Sequence, residues 1–216
     1  MSHTDIMIDI ETLSTEYNAC IIAIGAVKFN LYNPLKKREE LEILIDVKSC
    51  EELNCHKCPS TIEWWNKQPE DVFKHVFDDE PRFHIKDAIL QLNEFCKGCS
   101  RYWSQGSFDY IVLENTINAL KLEPVWKFWE IRDSRTIGSI CKDIPKKPTN
   151  AHSPIVDCNY QINVVYFVYN KINAKETILG KRALTFDLQN GDWKCEKCNS
   201  LNFKYRNTCF SCNKIK

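Results

Sequence analysis

The chain opens with apolar runs of strand length and later shifts to helical spacing. Ile6-Met7-Ile8-Asp9-Ile10 is apolar except for one acid, and residues 20–29 form a nearly continuous apolar run rich in β-branched residues. A run that short cannot span a membrane, and it predicts a buried central strand. Residues 41–47 alternate apolar and acidic positions, as a third strand would. Ser60-Thr61-Ile62-Glu63, ahead of Trp64-Trp65, has the arrangement of a helix capping box. Ile85, Ala88, Ile89, Leu92 and Phe95 share one face of a helix over 85–96. Tyr102-Trp103-Ser104 predicts a short strand, residues 108–122 a helix and residues 127–131 a weak strand. Pro145, Pro148 and Pro154 mark a loop before a last long helix over 155–172. Three strands, then helices alternating with further strands, predict a mixed α/β sheet flanked by helices.

Composition narrows the class. Of 216 residues, 44% are apolar and 27% charged, which supports a sizeable core in an ordinary globule. No apolar run reaches 18 residues and no basic flank opens the chain, so neither a membrane span nor a secretory signal is expected. The expected location is intracellular, cytoplasmic or nuclear. Net charge is zero but unevenly spread: residues 191–216 carry +4 and the remaining 190 carry −4. A basic tail on an acidic body suits a polyanionic partner. Twelve cysteines without an export signal favour metal binding over disulfides.

The acids form the first constellation. Asp9 and Glu11 lie two apart on a predicted strand, so both carboxylates share the face opposite Ile6, Ile8 and Ile10. Like charges side by side repel unless a cation joins them. Asp109 follows a strand and the Gly106 turn, in the first turn of a helix. Asp157 lies just inside the last helix, with His152 in the loop before it.

The order Asp-x-Glu, Gly-x-x-Asp, His-x4-Asp resembles the DEDDh branch of the DEDD exonuclease superfamily, over roughly residues 5–172. More narrowly it is similar to the phage exonuclease A and small 3′–5′ exoribonuclease group. Asp5 to Leu13, Ala23 to Phe29, Thr61-Ile62-Glu63-Trp64-Trp65, Arg132 to Thr136, His152 and Asp157 carry the match. Cys158-Asn159-Tyr160-Gln161 departs from it, since small residues are more usual there. The resemblance implies a ribonuclease-H-like fold, single-stranded nucleic acid as substrate, and two Mg²⁺ or Mn²⁺ ions. It implies that Asp9, Glu11 and Asp157 hold the ion that activates water. Asp9 would bridge to a second ion near Asp109, and His152 would act as general base. Such ions are hard and prefer oxygen ligands, which carboxylates supply. Trp64 and Trp65 are expected mainly in the core, with a base-stacking platform as the sharper alternative. Asp133 and Arg135 could touch phosphate. RNA and DNA stay undecided.

The second constellation is Cys195-x2-Cys198, ten residues, Cys209-x2-Cys212, a spacing that makes a closed tetrahedral zinc site. Residues 191–216 cannot bury a core, so metal must supply their folding energy. The pattern is similar to the Ran-binding-protein type of zinc finger. Asn199 and Ser200 stand where ubiquitin binders carry Thr-Phe, so ubiquitin is not the expected partner. Trp193, Asn202, Tyr205 and Arg206 are the candidate contacts to single-stranded RNA. Cys55, Cys58, Cys96 and Cys99 could form a second zinc site, although burial as ordinary thiols is favoured. The expected organisation is an exonuclease domain over 1–173, a connector over 174–190 and a finger over 191–216. The rival is a non-catalytic adaptor whose finger binds RNA or a protein.

Overall fold

The first strand sets the arrangement of everything else. β1 (Asp5–Thr12) pairs antiparallel with β2 (Ile21–Phe29), which pairs antiparallel with β3 (Glu39–Ile45). β1 also pairs in parallel with β5 (Arg101–Ser104), and β5 with β6 (Ile131–Asp133). With β4 (Arg82–Phe83) beside β3, the six-stranded order is β4-β3-β2-β1-β5-β6. The structure is a computed structural model that describes residues 3–78, 80–148, 152–179, 193–198, 201–202, 207–209, 212 and 214–216.

Strand alternation divides the core into two layers. Ile6, Ile8 and Ile10 face a layer built with α4 (Ile85–Cys96) and α5 (Phe108–Ala119). Met7, Val27, Phe29 and Trp103 face the other layer, where α7 (Pro154–Leu179) packs Cys158, Ile162, Val165 and Tyr166. The odd positions of β1 therefore lie under α7, and Asp5, Asp9 and Glu11 are among them.

The shorter elements depart from the sequence expectation. α1 (Val47–Glu51), α3 (Glu70–Phe77), α6 (Ser134–Gly138) and β4 were not expected. α2 (Pro59–Trp65) starts one residue before the expected capping box, because Pro59 suits the first helical position and lacks an N–H to cap. Cys58 is the capping residue, and its side chain makes no cap hydrogen bond. The expected strand over 127–131 is a 3₁₀ turn, Phe128–Glu130, with strand pairing beginning at Ile131. The chain divides into two compact units, Met1–Asn170 and Lys171–Lys216. α7 runs on to Leu179, so the expected connector begins as helix; its residues 180–190 lie outside the described residues. Among the described residues, no helix is long and apolar enough to cross a membrane.

One buried ion pair fastens the start of β1 to β5. Asp5 is fully buried and accepts from Arg101 Nε at 2.6 Å and Nη2 at 2.7 Å. Trp103 Nε1, Thr4 Oγ1 and the Leu31 N–H also donate to it. Burial alone would push this carboxyl up; the Arg101 pair, with Trp103 and Thr4, holds it below its ordinary 3.8. Replacing Asp5 by Asn leaves the Arg101 charge unpaired, so Asp5→Asn is expected to cost about 3 kcal/mol in urea unfolding at neutral pH. The wild-type advantage is complete above the ordinary carboxylate range and disappears as pH falls through the lowered value, because the pair then takes up a proton. Equal midpoints at neutral pH would remove this pair from the account of stability.

Candidate active site

The far end of β1 brings the predicted acids together. Asp9 and Glu11 project from β1 toward α7, and Asp157 meets them from that helix's first turn. Asp109 arrives from the first turn of α5 and accepts the Ile10 N–H at 3.0 Å. Asp9 Oδ1 accepts from Gln161 Nε2 at 2.7 Å. Glycine at position 25, directly opposite Asp9 on β2, is required here: a Cβ would lie 2.5 Å from that of Pro154. Gly25 thus lets the start of α7 close onto the sheet and set Asp157 beside Glu11.

The electrostatics are adverse by construction. Burial pushes Asp9 well above the ordinary carboxylate range, and the charges of Asp109, Glu11 and Asp157 push it further. Glu11 is raised to about 8 by burial and by Asp157, with Lys147 opposing. Asp109 is raised less, to about 6; burial drives the rise, and the Ile10 N–H and Arg135 oppose it. Lys147 reaches Asp157 Oδ2 at 3.2 Å. The buried Asp157 Oδ1 has no hydrogen-bond partner among the described residues.

His152 stands at the rim with φ 77°, a left-handed conformation costly for a non-glycine residue. Its N–H donates to Asp157 Oδ2 at 3.0 Å. Its ring meets the edge of Trp64 at 4.8 Å and of Trp65 at 6.4 Å. Burial and the Lys147 charge lower its pKa below 6.5, against the pull of Asp157. Glu11, His152 and Asp157 offer ligand atoms all within 4.8 Å of one another, a group that could hold a metal ion. An orphaned oxygen on Asp157, a lysine drawn onto the other oxygen of the same carboxylate and raised carboxyls nearby all fit a cation at this place.

The tryptophan pair divides. Trp65 is buried and donates from Nε1 to the Thr12 carbonyl at 2.9 Å, whereas Trp64 is 41% exposed beside His152. Gln161 and Lys147 were missed by sequence reading. Gln161 lies one helical turn beyond Asp157, and that spacing is its sequence signal. Asp133 serves the site indirectly, capping α6 and accepting the Gly106 N–H at 2.8 Å, which fixes the turn before Asp109.

The cysteines behave in two ways. In the C-terminal unit, Cys195 Sγ lies 3.6 Å from Cys212 Sγ, and Cys198 Sγ lies 3.5 Å from Cys209 Sγ. All four sulfurs fall within 4.8 Å of one another. A tetrahedral ion with ~2.3 Å bonds to sulfur would set such pairs about 3.8 Å apart. The cluster fits a small zinc finger. β7 (Trp193–Lys194) and β8 (Leu201–Asn202) form its ribbon. Asn202 is buried, which leaves it little surface to offer a strand. Tyr205 and Arg206 lie outside the described residues. The second zinc site is not formed. Cys58 N–H bonds to Leu13 beyond one end of β1, whereas Cys99 Sγ donates to the Asp5 carbonyl at the other end. A strand of that length sets these places roughly 20 Å or more apart.

A mixed sheet that gathers acids from β1, α5 and α7 beside a histidine is compatible with a nuclease. Residues 4–169 match the 3′-5′ exoribonuclease Rv2179c-like domain, and the chain belongs to that family of 3′–5′ exonucleases. It is also 28% identical over 162 residues to an exodeoxyribonuclease of Enterobacteria phage T4, covering 61% of this chain and 69% of that protein. Exonuclease activity and a nucleic-acid substrate follow from the family.

The raised Glu11 carboxyl has a measurable consequence. Between its ordinary 4.5 and about 8, the folded protein keeps a proton that the unfolded chain releases, so stability without added divalent ions falls as pH rises. Melting in Mg²⁺-free buffer should decline by several degrees from about pH 5 to about pH 8, since about 1 kcal/mol moves a domain of this size by ~2–4 °C. Adding Mg²⁺ should raise the melting temperature most at the alkaline end, and Glu11→Gln should flatten both responses. A wild-type profile indifferent to pH and Mg²⁺ would contradict a charge-strained cation site.

Proposed function

We propose that the body is a two-cation 3′–5′ exonuclease acting on single-stranded nucleic acid, and that residues 191–216 form a zinc finger that captures single-stranded RNA. The observation that carries this reading is the convergence of Asp9, Glu11, Asp109 and Asp157 on one another, with too few donors among the described residues to satisfy them. Asp9, Glu11 and Asp157 would hold one Mg²⁺ or Mn²⁺, and Asp9 with Asp109 the other. When bound, the two ions would activate a water and neutralise charge on the scissile phosphate and leaving oxygen.

The chain's own groups do the rest. Gln161 orients Asp9 from one side, and the Ile10 N–H holds Asp109. His152 would take the proton from the attacking water. Its lowered pKa keeps the ring neutral near pH 7, which a general base requires. The edge contact with Trp64 limits where that ring can turn. Exposed Trp64 could also meet the terminal base. The domain boundaries near 173 and 191 belong to the same reading, which takes RNA or DNA as substrate.

Asp157→Asn should abolish turnover with the fold intact, and His152→Ala should lower kcat/KM about 10²–10⁴-fold. Because the base must be neutral, wild-type kcat/KM should rise with pH to a plateau, with a midpoint below 6.5. Shortening should start at the 3′ end of labelled RNA or DNA and spare circles. Full activity in Asp157→Asn, or circles cut as fast as linear strands, would overturn the catalytic reading.

Removing residues 191–216 should leave hydrolysis of very short oligomers nearly unchanged. It should weaken binding of a single-stranded RNA 20-mer roughly tenfold or more, with a strong salt dependence, since Trp193, Tyr205, Arg206 and a +4 charge are lost. Zinc chelation should have the same effect. Equal affinities at two salt concentrations would shift the finger toward a protein partner.

A further inference from the structure

Phe128 and Trp129 are 78% and 58% exposed, adjacent, and packed edge to face at 4.8 Å. They precede β6, the strand at one edge of the sheet. Lys127 Nζ lies 5.3 Å over the Trp129 ring, and Arg132 Nη1 holds the Trp129 carbonyl at 2.7 Å. A doubled aromatic step left this exposed gains little from folding, which points to something it meets.

The same stretch is tied to the active site at its other end. β6 ends at Asp133, which fixes the Gly106 turn ahead of Asp109. Exposed Arg135 follows and bears on Asp109 electrostatically. Farther on, the Pro145 carbonyl accepts from Tyr160 of α7, and Lys147 pairs with Asp157. Trp129 and Asp133 are four residues apart, which is at most roughly 13 Å of extended chain. Such a span suits a few nucleotides.

Charge identifies the occupant. Residues 121–147 contain seven Lys or Arg (Lys121, Lys127, Arg132, Arg135, Lys142, Lys146, Lys147) and four acids (Glu123, Glu130, Asp133, Asp143), a net +3. Residues 1–190 as a whole carry −4, so the rest of the body carries −7. A polyanion approaching the body finds cations concentrated on the segment that also carries the aromatic step. A second copy of this chain fits worse, because a two-fold contact would set +3 against +3. We propose that the segment from Lys127 to Lys147 is a docking rim for single-stranded nucleic acid. Trp129 and Phe128 stack on bases upstream of the 3′ end, and the cations face the backbone. The inference rests on the exonuclease reading and adds a place for the part of the strand that is not being cut.

The test is fluorescence anisotropy of full-length protein with a labelled single-stranded 12-mer and a trimer, with Ca²⁺ in place of Mg²⁺. Wild type is compared with Trp129→Ala, Phe128→Ala/Trp129→Ala and Trp129→Phe. Trp129→Ala should lose roughly tenfold in affinity for the 12-mer and distinctly less for the trimer, and Trp129→Phe should recover most of the loss, since it keeps a stacking face. Unchanged 12-mer affinity in the double variant would overturn the proposal. So would a dimeric wild type that becomes monomeric in Trp129→Ala with its affinity intact, which assigns the step to a second copy. Binding is read without turnover, so a wild type that binds this way but fails to cleave in Mg²⁺ would count against the catalytic reading alone.

Discussion

Two acids on one face of β1 receive opposite treatment, and the molecule depends on the difference. Asp5 is given a bidentate arginine and three further donors. Asp9, four residues along the same face, is given one glutamine nitrogen and three neighbouring carboxylates. A buried carboxylate with a full set of donors is a fastening; one without is a demand for positive charge. The first fixes the register of β1 against β5. The second lies where the charges of Asp109, from α5, and Asp157, from α7, both bear on it.

Repulsion of this size needs a frame that cannot relax. Three features supply it. Gly25 lets α7 begin against the sheet, where any side chain would lift it away. The Ile10 N–H holds Asp109 in place from the strand itself. Cys158, buried between α7 and the sheet, donates toward the carbonyls of Met7 and Gly25 and closes the packing at the site's floor. A cysteine is small enough to fit there. Gln161, on the next turn, does more than pack: it is the hydrogen-bond donor to Asp9.

What the sequence made legible follows from how local each constraint is. Strand alternation put Asp9 and Glu11 on one face because period two needs no tertiary knowledge. The finger cysteines were legible because their spacing is itself the ligand geometry. The pairs at Cys55 and Cys96 share that local spacing, yet only the topology shows them at opposite ends of β1. The capping box at Ser60 failed to Pro59, whose preference for the first helical position is equally local and stronger. The short elements α1, α3 and α6 are too brief to display a period. Lys147 could not have been found, since its loop carries no pattern and only the fold brings it to Asp157.

The distribution of charge follows from the same demand. A cluster of carboxylates repels a phosphate backbone, so the function proposed above calls for cations where a strand would arrive, with the acids left free to bind metal. Lys147 and Arg135 bear on Asp157 and Asp109 from loop and surface positions, near enough to temper the repulsion. Neither is a fixed partner of the kind Asp5 has, since Lys147 is 40% exposed and Arg135 is exposed as well. A fully paired site would be more stable and would have no need of a cation. Leaving the pairing incomplete costs stability locally, and the Asp5–Arg101 fastening at the opposite end of β1 helps the fold bear that cost.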